Sequence, residues 1–541
     1  MIQNRLKYFT GIACSIMLLF ISCNDLDLAP TDRFTDLNYW TSPEKATAVL
    51  SQAYNQMYNA DYFFSTERLT DNLYEGRGSS NEKLITSGVA LPDNGRFSGE
   101  WSTCYSGIKT CHTFLENVDR VPNMDETLKA RMKAEARFVR AFLFFRLTCH
   151  YGDVPLFDGN LSLQDANTIS RSSKADVINF VRSELNEIAS ILPLRSEYSE
   201  KDKGRYTKAA AMSLLARTYL YENDWSNVAS ICERIMNGEF GSYQLFPSYE
   251  GLFLPENEYN NEVILDIGYT LNFRTWSVFY DAIPLTVGGR IHAFAPTQEL
   301  VDDYVMKNGR GINESGSGYN EDDPYVNRDP RFEKTICFHG YQWKKGDGTV
   351  STIYIKPGSS SIAGVSNLDE YAGSGQNATG TGYYLRKYFD PTAPVGMAAG
   401  LNIILIRYAD ILLMYAEAKN ELGQMNADIW DKTIKQIRQR AGFSDASALD
   451  YPGGTDLRNI IRRERRCELA IEGTRLFDIR RWKTIETVMN GNPHGAKFAV
   501  DNTQYIVLDT RRFNSSRDYL FAVPQSQLDI NPNLEPQNPG Y

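Results

Sequence analysis

The stretch 207–238 constrains the fold most strongly, because it holds two helical patterns joined by a short turn. Small and large apolar residues alternate with helical period along each pattern, and Asn223 and Asp224 form the turn. Gly238 follows the second pattern, where glycine commonly ends a helix. Paired helices of this kind bury a continuous core only when several pairs stack. The sequence therefore predicts a stack of helical pairs.

Several other stretches support this prediction. A second pair spans 408–442, and less regular pairs lie at 101–151 and 174–192. The pattern at 125–151 is apolar over so wide an arc that the helix should be buried between neighbours. Ser42 and Pro43 mark the start of another helix, which should run to about Tyr58. The alternation of small and large residues resembles that of tetratricopeptide repeats.

Residues 240–400 have a different character, because helical period is lost and Gly, Asn, Ser, Pro and Tyr dominate. Only short strand-like runs occur there, at 263–267, 352–355 and 383–388. We therefore predict a mostly α protein, with a tetratricopeptide-like helical-pair scaffold and a large irregular subdomain of loops and short strands. Its expected parts are 1–22, a signal peptide; 23–240, an N-terminal helical region; 241–400, an irregular insert; and 401–541, a C-terminal helical region. The tail 520–541 should wrap the surface in extended form.

The first residues predict export and lipidation. Arg5 and Lys7 precede an apolar stretch at 8–21, which is too short to span a membrane and is typical of a secretory signal. The ending at 19–23 resembles the bacterial lipoprotein box, although Phe20 replaces the usual Leu. Cys23 would then be lipidated and become the first mature residue. Cleavage at Cys14, or an ordinary signal with an incidental cysteine, is the alternative.

Composition limits the other functions. The net charge of −10 is spread along the chain, and no basic stripe is available to neutralise the phosphates of a nucleic acid. Six cysteines lie outside the signal and the lipidation position, and their spacing fits neither a metal site nor a small disulfide framework. Cys104 and Cys111 would lie about 10 Å apart on one helix, too far for a disulfide. We expect buried free thiols.

One buried carboxylate is predicted near the C-terminus. On a helix at 457–471, Glu464 falls on the apolar stripe and needs a cationic partner. The neighbouring arginines or Arg475 are the expected partners, in a structural ion pair.

Motifs spread over the mature chain resemble those of the SusD/RagB family of outer-membrane nutrient-binding lipoproteins of Bacteroidetes. The matching stretches are 34–42, 137–142, 151–156, 207–211, 329–332 (Asp-Pro-Arg-Phe), 407–418, 463–478 and 524–541. The resemblance implies four tetratricopeptide-like pairs packed on a less regular subdomain. It also implies a lipid anchor on the outer face of the outer membrane, and Asp25 and Asp27 fit a surface-export signal of that phylum. The implied partner is a SusC-like TonB-dependent transporter, and the implied ligand is an oligosaccharide, with peptides or glycoconjugates as the alternative.

The common catalytic motifs are absent from the sequence: it has no H-E-x-x-H, G-x-S-x-G or Walker pattern, and no metal-ligand spacing among its five histidines. A glycosidase needs only two carboxylates about 5–10 Å apart, so a surface-anchored hydrolase stays open as a second class. A helical-repeat adaptor for other envelope proteins is a third. We expect a non-catalytic binding protein without cofactors.

Loops that mix aromatic and polar residues are the candidate ligand sites, because sugar rings stack on aromatic faces while polar groups bind the hydroxyls. The candidates are Tyr62, Arg68, Asn72, Tyr74, Arg77, Trp276, Tyr280, Arg290 and Trp343. Trp276 and Tyr74 are expected to be the most exposed; the other interpretation is that each ring fixes its loop on the core. The Asp- and Asn-rich stretch 313–323 offers a structural calcium site, although a solvated loop fits it as well because EF-hand spacing is lacking.

Overall fold

The computed structural model describes residues 39–76, 78–359, 368–372, 377–393, 398–454 and 456–541. The lipidation position Cys23 and the signal lie outside these residues. The described helices are α1 Pro43–Met57, α2 Ala60–Arg68, α3 Asn81–Thr86, α4 Gly95–Asn117, α5 Glu126–Tyr151, α6 Leu163–Ala166, α7 Lys174–Ile188, α8 Lys208–Tyr221, α9 Trp225–Met236, α10 Gln298–Asp303, α11 Phe332–Thr335, α12 Tyr408–Glu421, α13 Ala427–Lys432, α14 Ile434–Ala441, α15 Ala446–Leu449, α16 Leu457–Glu468, α17 Arg475–Arg481, α18 Ile485–Val488 and α19 Gln525–Ile530. The described strands are β1 Leu73–Glu75, β2 Val263–Ile267, β3 Phe294–Pro296, β4 Ile336–Cys337, β5 Tyr341–Lys344, β6 Val350–Ile353, β7 Tyr384–Leu385 and β8 Ile403–Arg407.

The helices form a continuous stack, in which α1 packs on α4, α4 on α5, α5 on α7, α7 on α8, α8 on α9, α9 on α12 and α12 on α16. The mostly α, helical-pair fold predicted from the sequence is confirmed. Helix α5 shows which local signals predict a helix. The Asp125 side chain accepts from the backbone N–H of Leu128, and Gly152 ends the helix with φ of 72°. Between these ends the second half of the helix is buried almost all round.

The strands are short and pair two by two in antiparallel fashion. Strand β2 lies where the sequence predicted it and pairs with β8, from Val263 opposite Arg407 to Ile267 opposite Ile403. The runs predicted at 352–355 and 383–388 are displaced or shorter, as β6 and β7. The tail is not extended throughout, because α19 forms within it. Division of the chain at 240 and 400 stays a prediction.

A network of buried charges ties the strands to the helices. Arg407 donates from Nη1 to Glu262 and Glu468, each at 2.6 Å, and from Nε to Glu472 at 2.8 Å. Lys387 Nζ also donates to Glu472, at 2.6 Å. Such a network does not by itself make the protein more stable, but removing one partner leaves an uncompensated buried charge.

Glu464 is buried, as predicted, but its predicted partners are wrong. It pairs with Arg331, in the turn before α11, at 2.7 Å and with Arg438, in α14, at 2.8 Å. Arg475 instead binds both carboxylate oxygens of Asp71, at 2.8 and 2.7 Å. These partners are remote in sequence, so local spacing could not identify them.

The six cysteines of the described chain are free thiols; five are buried and Cys149 is half-buried. This confirms the sequence prediction. Over the same residues, no helix combines the length and apolar character needed to cross a bilayer.

Candidate functional site

Both candidate tryptophans belong to the core, so the predicted exposure of Trp276 is wrong. Trp276 is 5% exposed, donates from Nε1 to the Leu401 carbonyl at 2.7 Å, and packs against Phe64. Trp343 has no exposed surface, and the Arg386 guanidinium lies 4.8 Å from its ring centroid. The polar sequence neighbours of Trp276 suggest exposure, but partners distant in the chain cover this ring and that of Trp343.

The first candidate loop is also largely buried. Tyr74, expected to be exposed, is 4% exposed and donates to Asp509 Oδ2 at 2.8 Å. Asn72 is buried between Glu67, to which it donates at 2.9 Å, and Arg466, from which it accepts at 2.9 Å. These side chains hold the scaffold together.

Tyr62 and Arg68, predicted in the same loop, lie instead on helix α2 and are half-buried. The Arg96 guanidinium lies 4.6 Å from the Tyr62 ring centroid, and Arg68 pairs with Glu75 at 3.1 Å. Arg77 lies outside the described residues.

The second candidate loop holds Tyr280 and Arg290. Tyr280 is buried, and burial raises the pKa of its hydroxyl to about 12. Arg290 is exposed but binds Asp281 through Nε and Nη2, at 2.8 and 2.9 Å. The role of the described candidates in ligand binding stays a prediction. Among them, only Arg290 is exposed to solvent.

A surface groove elsewhere combines aromatic rings with polar and charged side chains. It has a volume of about 320 Å³, and we call it the tyrosine groove. Its lining residues are Gln298, Tyr319, Glu321, Asp322, Asp323, Pro324, Tyr325, His339, Lys356, Tyr383, Lys497, Phe498, Asn502 and Tyr505.

Two loops closed by backbone bridges form the walls of the groove. An antiparallel bridge between Met306 and Arg328 closes the first loop, which carries Tyr319 and Tyr325. Buried Arg328 fixes the base of that loop by donating to the Val301 and Tyr304 carbonyls. The bridge and the hydrogen bonds of Arg328 therefore fix the shape of a loop that lacks regular secondary structure over most of its length.

The second wall is a hairpin-like segment at 494–507. Its two arms are joined by a bridge between His494 and Val507 and by another between Ala499 and Gln504. It carries Lys497, Phe498 and Tyr505 to the groove. Tyr74 belongs to a small apolar cluster with Phe498, Ile506 and Leu508, so it supports this wall from behind.

The tyrosines are held in fixed positions. Tyr325 stacks on Phe338 with ring centroids 4.3 Å apart, and its hydroxyl lies 3.5 Å from that of Tyr383. Tyr383 donates to Gln298 Oε1 at 2.6 Å, and Gln298 donates to Asp302 at 2.7 Å. A connected chain of hydrogen bonds makes the floor of the groove rigid.

A polar bridge joins the two walls. Glu321 accepts from Lys497 Nζ at 3.0 Å and from the Tyr505 hydroxyl at 3.4 Å. The hydrogen bond from Lys497 lowers the pKa of Glu321, which therefore stays ionised at neutral pH. Tyr319, on the same wall as Glu321, has a pKa raised by burial.

His339 supplies a neutral donor. Its Nδ1 accepts from the backbone N–H groups of Ile355 and Lys356, each at 3.0 Å, so the ring proton is assigned to Nε2. Burial, followed by the charge of Lys356, lowers the pKa of His339, which is therefore neutral at pH 7. The groove combines half-buried ring faces with charged and neutral hydrogen-bonding groups, as sites for polar ligands with apolar faces require.

Sequence reasoning missed the groove's aromatic residues. Tyr319 lies inside the stretch 313–323, which had been considered only for calcium, and Tyr505 lies 186 residues further along the chain. The sequence signal that could have indicated this site is a tyrosine, Tyr319, within an Asp- and Asn-rich loop. The calcium site stays a prediction: within the described ranges, no three His, Cys, Asp or Glu side chains are grouped so as to hold a metal ion.

Comparisons with known proteins agree with this architecture. Residues 269–541 match the model of the SusD family, and residues 26–220 match a family model described as starch-binding associating with outer membrane. The fold and these matches define a SusD-like protein with a helical scaffold. This chain belongs to the SusD family.

Several relatives are similar to this chain over nearly its whole length. The chain is 24% identical to SusD-like protein P2 of Formosa agariphila, over 97% of this chain and 98% of that protein. The crystal structure of a SusD-like carbohydrate binding protein from Bacteroides fragilis superimposes with a TM-score of 0.82 at 30% identity, covering 92% of this chain and 100% of that one. A second SusD-like protein of that species gives 0.80 at 26% identity, covering 95% and 100%.

Proposed function

We propose that this protein is a non-catalytic lipoprotein that binds oligosaccharides in the tyrosine groove and delivers them to a SusC-like TonB-dependent transporter. The observation that carries the proposal is the set of half-buried tyrosines beside neutral and charged hydrogen-bonding groups. The carbohydrate-binding relative from Bacteroides fragilis supports the ligand class.

Membrane attachment is part of the same proposal. Cys23 carries the lipid, and the protein faces the cell exterior from the outer membrane. The family description that names outer-membrane association supports this placement. Retention of a SusC-like barrel in a detergent pull-down tests the partner; recovery of several unrelated envelope proteins instead would favour an adaptor.

Glu321, on the groove wall, does not have the electrostatics of a glycosidase acid. A glycosidase needs a carboxylic acid whose pKa is raised, so that it can protonate the leaving oxygen. Lys497 instead lowers the pKa of Glu321, on the groove wall. We therefore expect bound oligosaccharide to be recovered unchanged in mass, and cleavage would contradict the proposal.

The binding test is titration calorimetry of a soluble chain starting at Asn24 against plant, host and microbial oligosaccharides. Tyr505→Ala should lower the affinity for the bound oligosaccharide about tenfold, because one stacking face of about 1.4 kcal/mol is lost. Tyr451→Ala is the matched control, since Tyr451 is also a half-buried tyrosine and does not line the groove. Failure of the whole panel, together with binding of peptides, would contradict the oligosaccharide proposal.

A further inference from the structure

A second cavity lies where the C-terminal ends of α5 and α8 approach α17, and it shares no lining residue with the tyrosine groove. Its volume is about 340 Å³, within the range of small-molecule sites. The lining residues are Thr148, Cys149, Lys174, Tyr221, Glu222, Asn223, Phe477, Arg480, Arg481, Lys483, Tyr519 and Leu520. We call it the basic cavity, since four of these residues are cationic and Glu222 is the acidic one among them.

Arg480 is the unusual residue of the basic cavity. Its Nε and Nη1 atoms are buried, and neither has a hydrogen-bond partner within the described part of the chain. The nearby carboxylate of Asp518 pairs with Arg517 at 2.6 Å instead. Burial lowers the pKa of Arg480 to about 10, so the guanidinium is still charged at pH 7. The Arg480 guanidinium lies 5.4 Å from the centroid of the Phe521 ring. Its two buried N–H groups without a hydrogen-bond partner are nevertheless costly, and a ligand could satisfy them.

The other charges leave the cavity positive. Glu222 is neutralised by Lys174, at 2.7 Å. Arg481 is satisfied by Glu417 and Asp478, at 2.6 and 2.9 Å. Lys483 is exposed, and its Nζ lies 3.9 Å from the centroid of the Tyr519 ring. Arg480 and Lys483 therefore supply positive charge that the lining carboxylate does not cancel.

Aromatic rings flank these cations. Tyr221 and Phe477 stack with centroids 5.2 Å apart, and both are half-buried, as is Tyr519. A guanidinium matches the geometry of carboxylate and sulfate oxygens, while aromatic faces favour the apolar face of a sugar ring. A cavity for a bare inorganic anion would not need the rings.

We infer that the basic cavity binds an acidic saccharide, with Arg480 and Lys483 contacting its carboxylate or sulfate ester. This inference goes beyond the proposed function, because it adds a second site and a charge requirement that the tyrosine groove does not impose.

The test uses titration calorimetry of the soluble chain from Asn24 with four probes: glucuronate, glucose 6-sulfate, glucose and inorganic sulfate. At least one of the two acidic sugars should bind, with an affinity that falls as the salt concentration rises. Glucose should not bind in this cavity. Arg480→Gln should lower the affinity for the acidic sugar at least tenfold. Lys483→Gln should lower it severalfold; because Lys483 is exposed, this variant keeps the test valid if Arg480→Gln does not fold.

Lys432→Gln is the matched control, since Lys432 is a surface lysine of α13 and should leave the affinity unchanged. Equal binding of glucose and glucuronate, binding of sulfate without either acidic sugar, or unchanged affinity in both cavity variants would each overturn the inference. Tyr505→Ala separates the two proposals: it should weaken oligosaccharide binding in the tyrosine groove and leave the affinity for the acidic sugar intact.

Discussion

At the scale of single residues, the fate of each aromatic side chain depends on what the distant chain places over it. Trp276 and Phe273 are three positions apart in one loop, yet they are 5% and 91% exposed. A bridge between Thr270 and Arg274 closes a turn that leaves Phe273 at its tip, while Trp276 pairs with Ala399 through the backbone. The same loop therefore contains a core residue and a free ring.

We predict that Trp276→Ala lowers the free energy of unfolding by about 3–5 kcal/mol, because it removes a buried indole and its hydrogen bond to Leu401. Phe273→Ala should change it by less than about 0.5 kcal/mol, as exposed substitutions usually do. Urea denaturation of the two variants measures the difference. Equal stability of both variants would contradict the burial of Trp276.

At the scale of elements, two carboxylates at the start of the β2–β8 pair share one partner: Asp266 lies in β2 and Glu258 in the segment before it. Asn402 donates from its side chain to Asp266 at 2.9 Å and from its backbone N–H to Glu258 at 2.8 Å. Burial raises the pKa of Asp266 to about 6 and that of Glu258 to about 7. Between about pH 4.5 and 6, both carboxyls therefore stay largely protonated in the folded chain, whereas in the unfolded chain they are largely ionised.

This arrangement predicts a pH dependence. Between about pH 4.5 and 7 the Glu258 carboxyl is more protonated in the folded chain than in the unfolded chain. Its contribution to stability is therefore fully present below 4.5 and is lost as the pH rises through about 7. Glu258→Gln should make the melting temperature depend less on pH within this window. Thermal unfolding at pH 5, 6, 7 and 8 measures it, and identical slopes for both proteins would refute the raised pKa.

At the scale of the whole molecule, the C-terminal tail joins distant parts of the helical stack. Asn538 donates from Nδ2 to the carbonyl of Tyr151, at the end of α5, and to that of Phe521, at 2.8 and 2.7 Å. Arg171, in the segment before α7, donates to Asn538 Oδ1 at 2.8 Å. One buried amide thus connects the tail to two parts of the N-terminal half.

We predict that Asn538→Ala lowers the free energy of unfolding by about 1–3 kcal/mol, because two buried carbonyls lose their donor. Asn533→Ala serves as the control, since its contact with the Thr168 carbonyl lies at the surface. Chemical denaturation of both variants provides the measurement. A loss at Asn533 as large as that at Asn538 would show that burial of the amide is unimportant.

Local signals in the sequence determined the helical scaffold, the bounds of α5, the strand β2 and the free state of the cysteines. Helical period, caps and turn residues act between neighbours in the chain, so they can be read without the fold. The buried position of Glu464 followed from the same period. The family motifs also lie in this scaffold, which is why the SusD resemblance was visible.

Only the tertiary structure decided which aromatic rings face solvent, which arginines hold Glu464, and where the tyrosine groove lies. Tyr319 and Tyr505 meet across one groove because two irregular loops are closed by their own backbone bridges. Arg480 lacks a hydrogen-bond partner for two buried atoms because the neighbouring Asp518 pairs with Arg517. Each of these outcomes depends on contacts between residues far apart in sequence, and burial and charge at a site are the sum of such contacts.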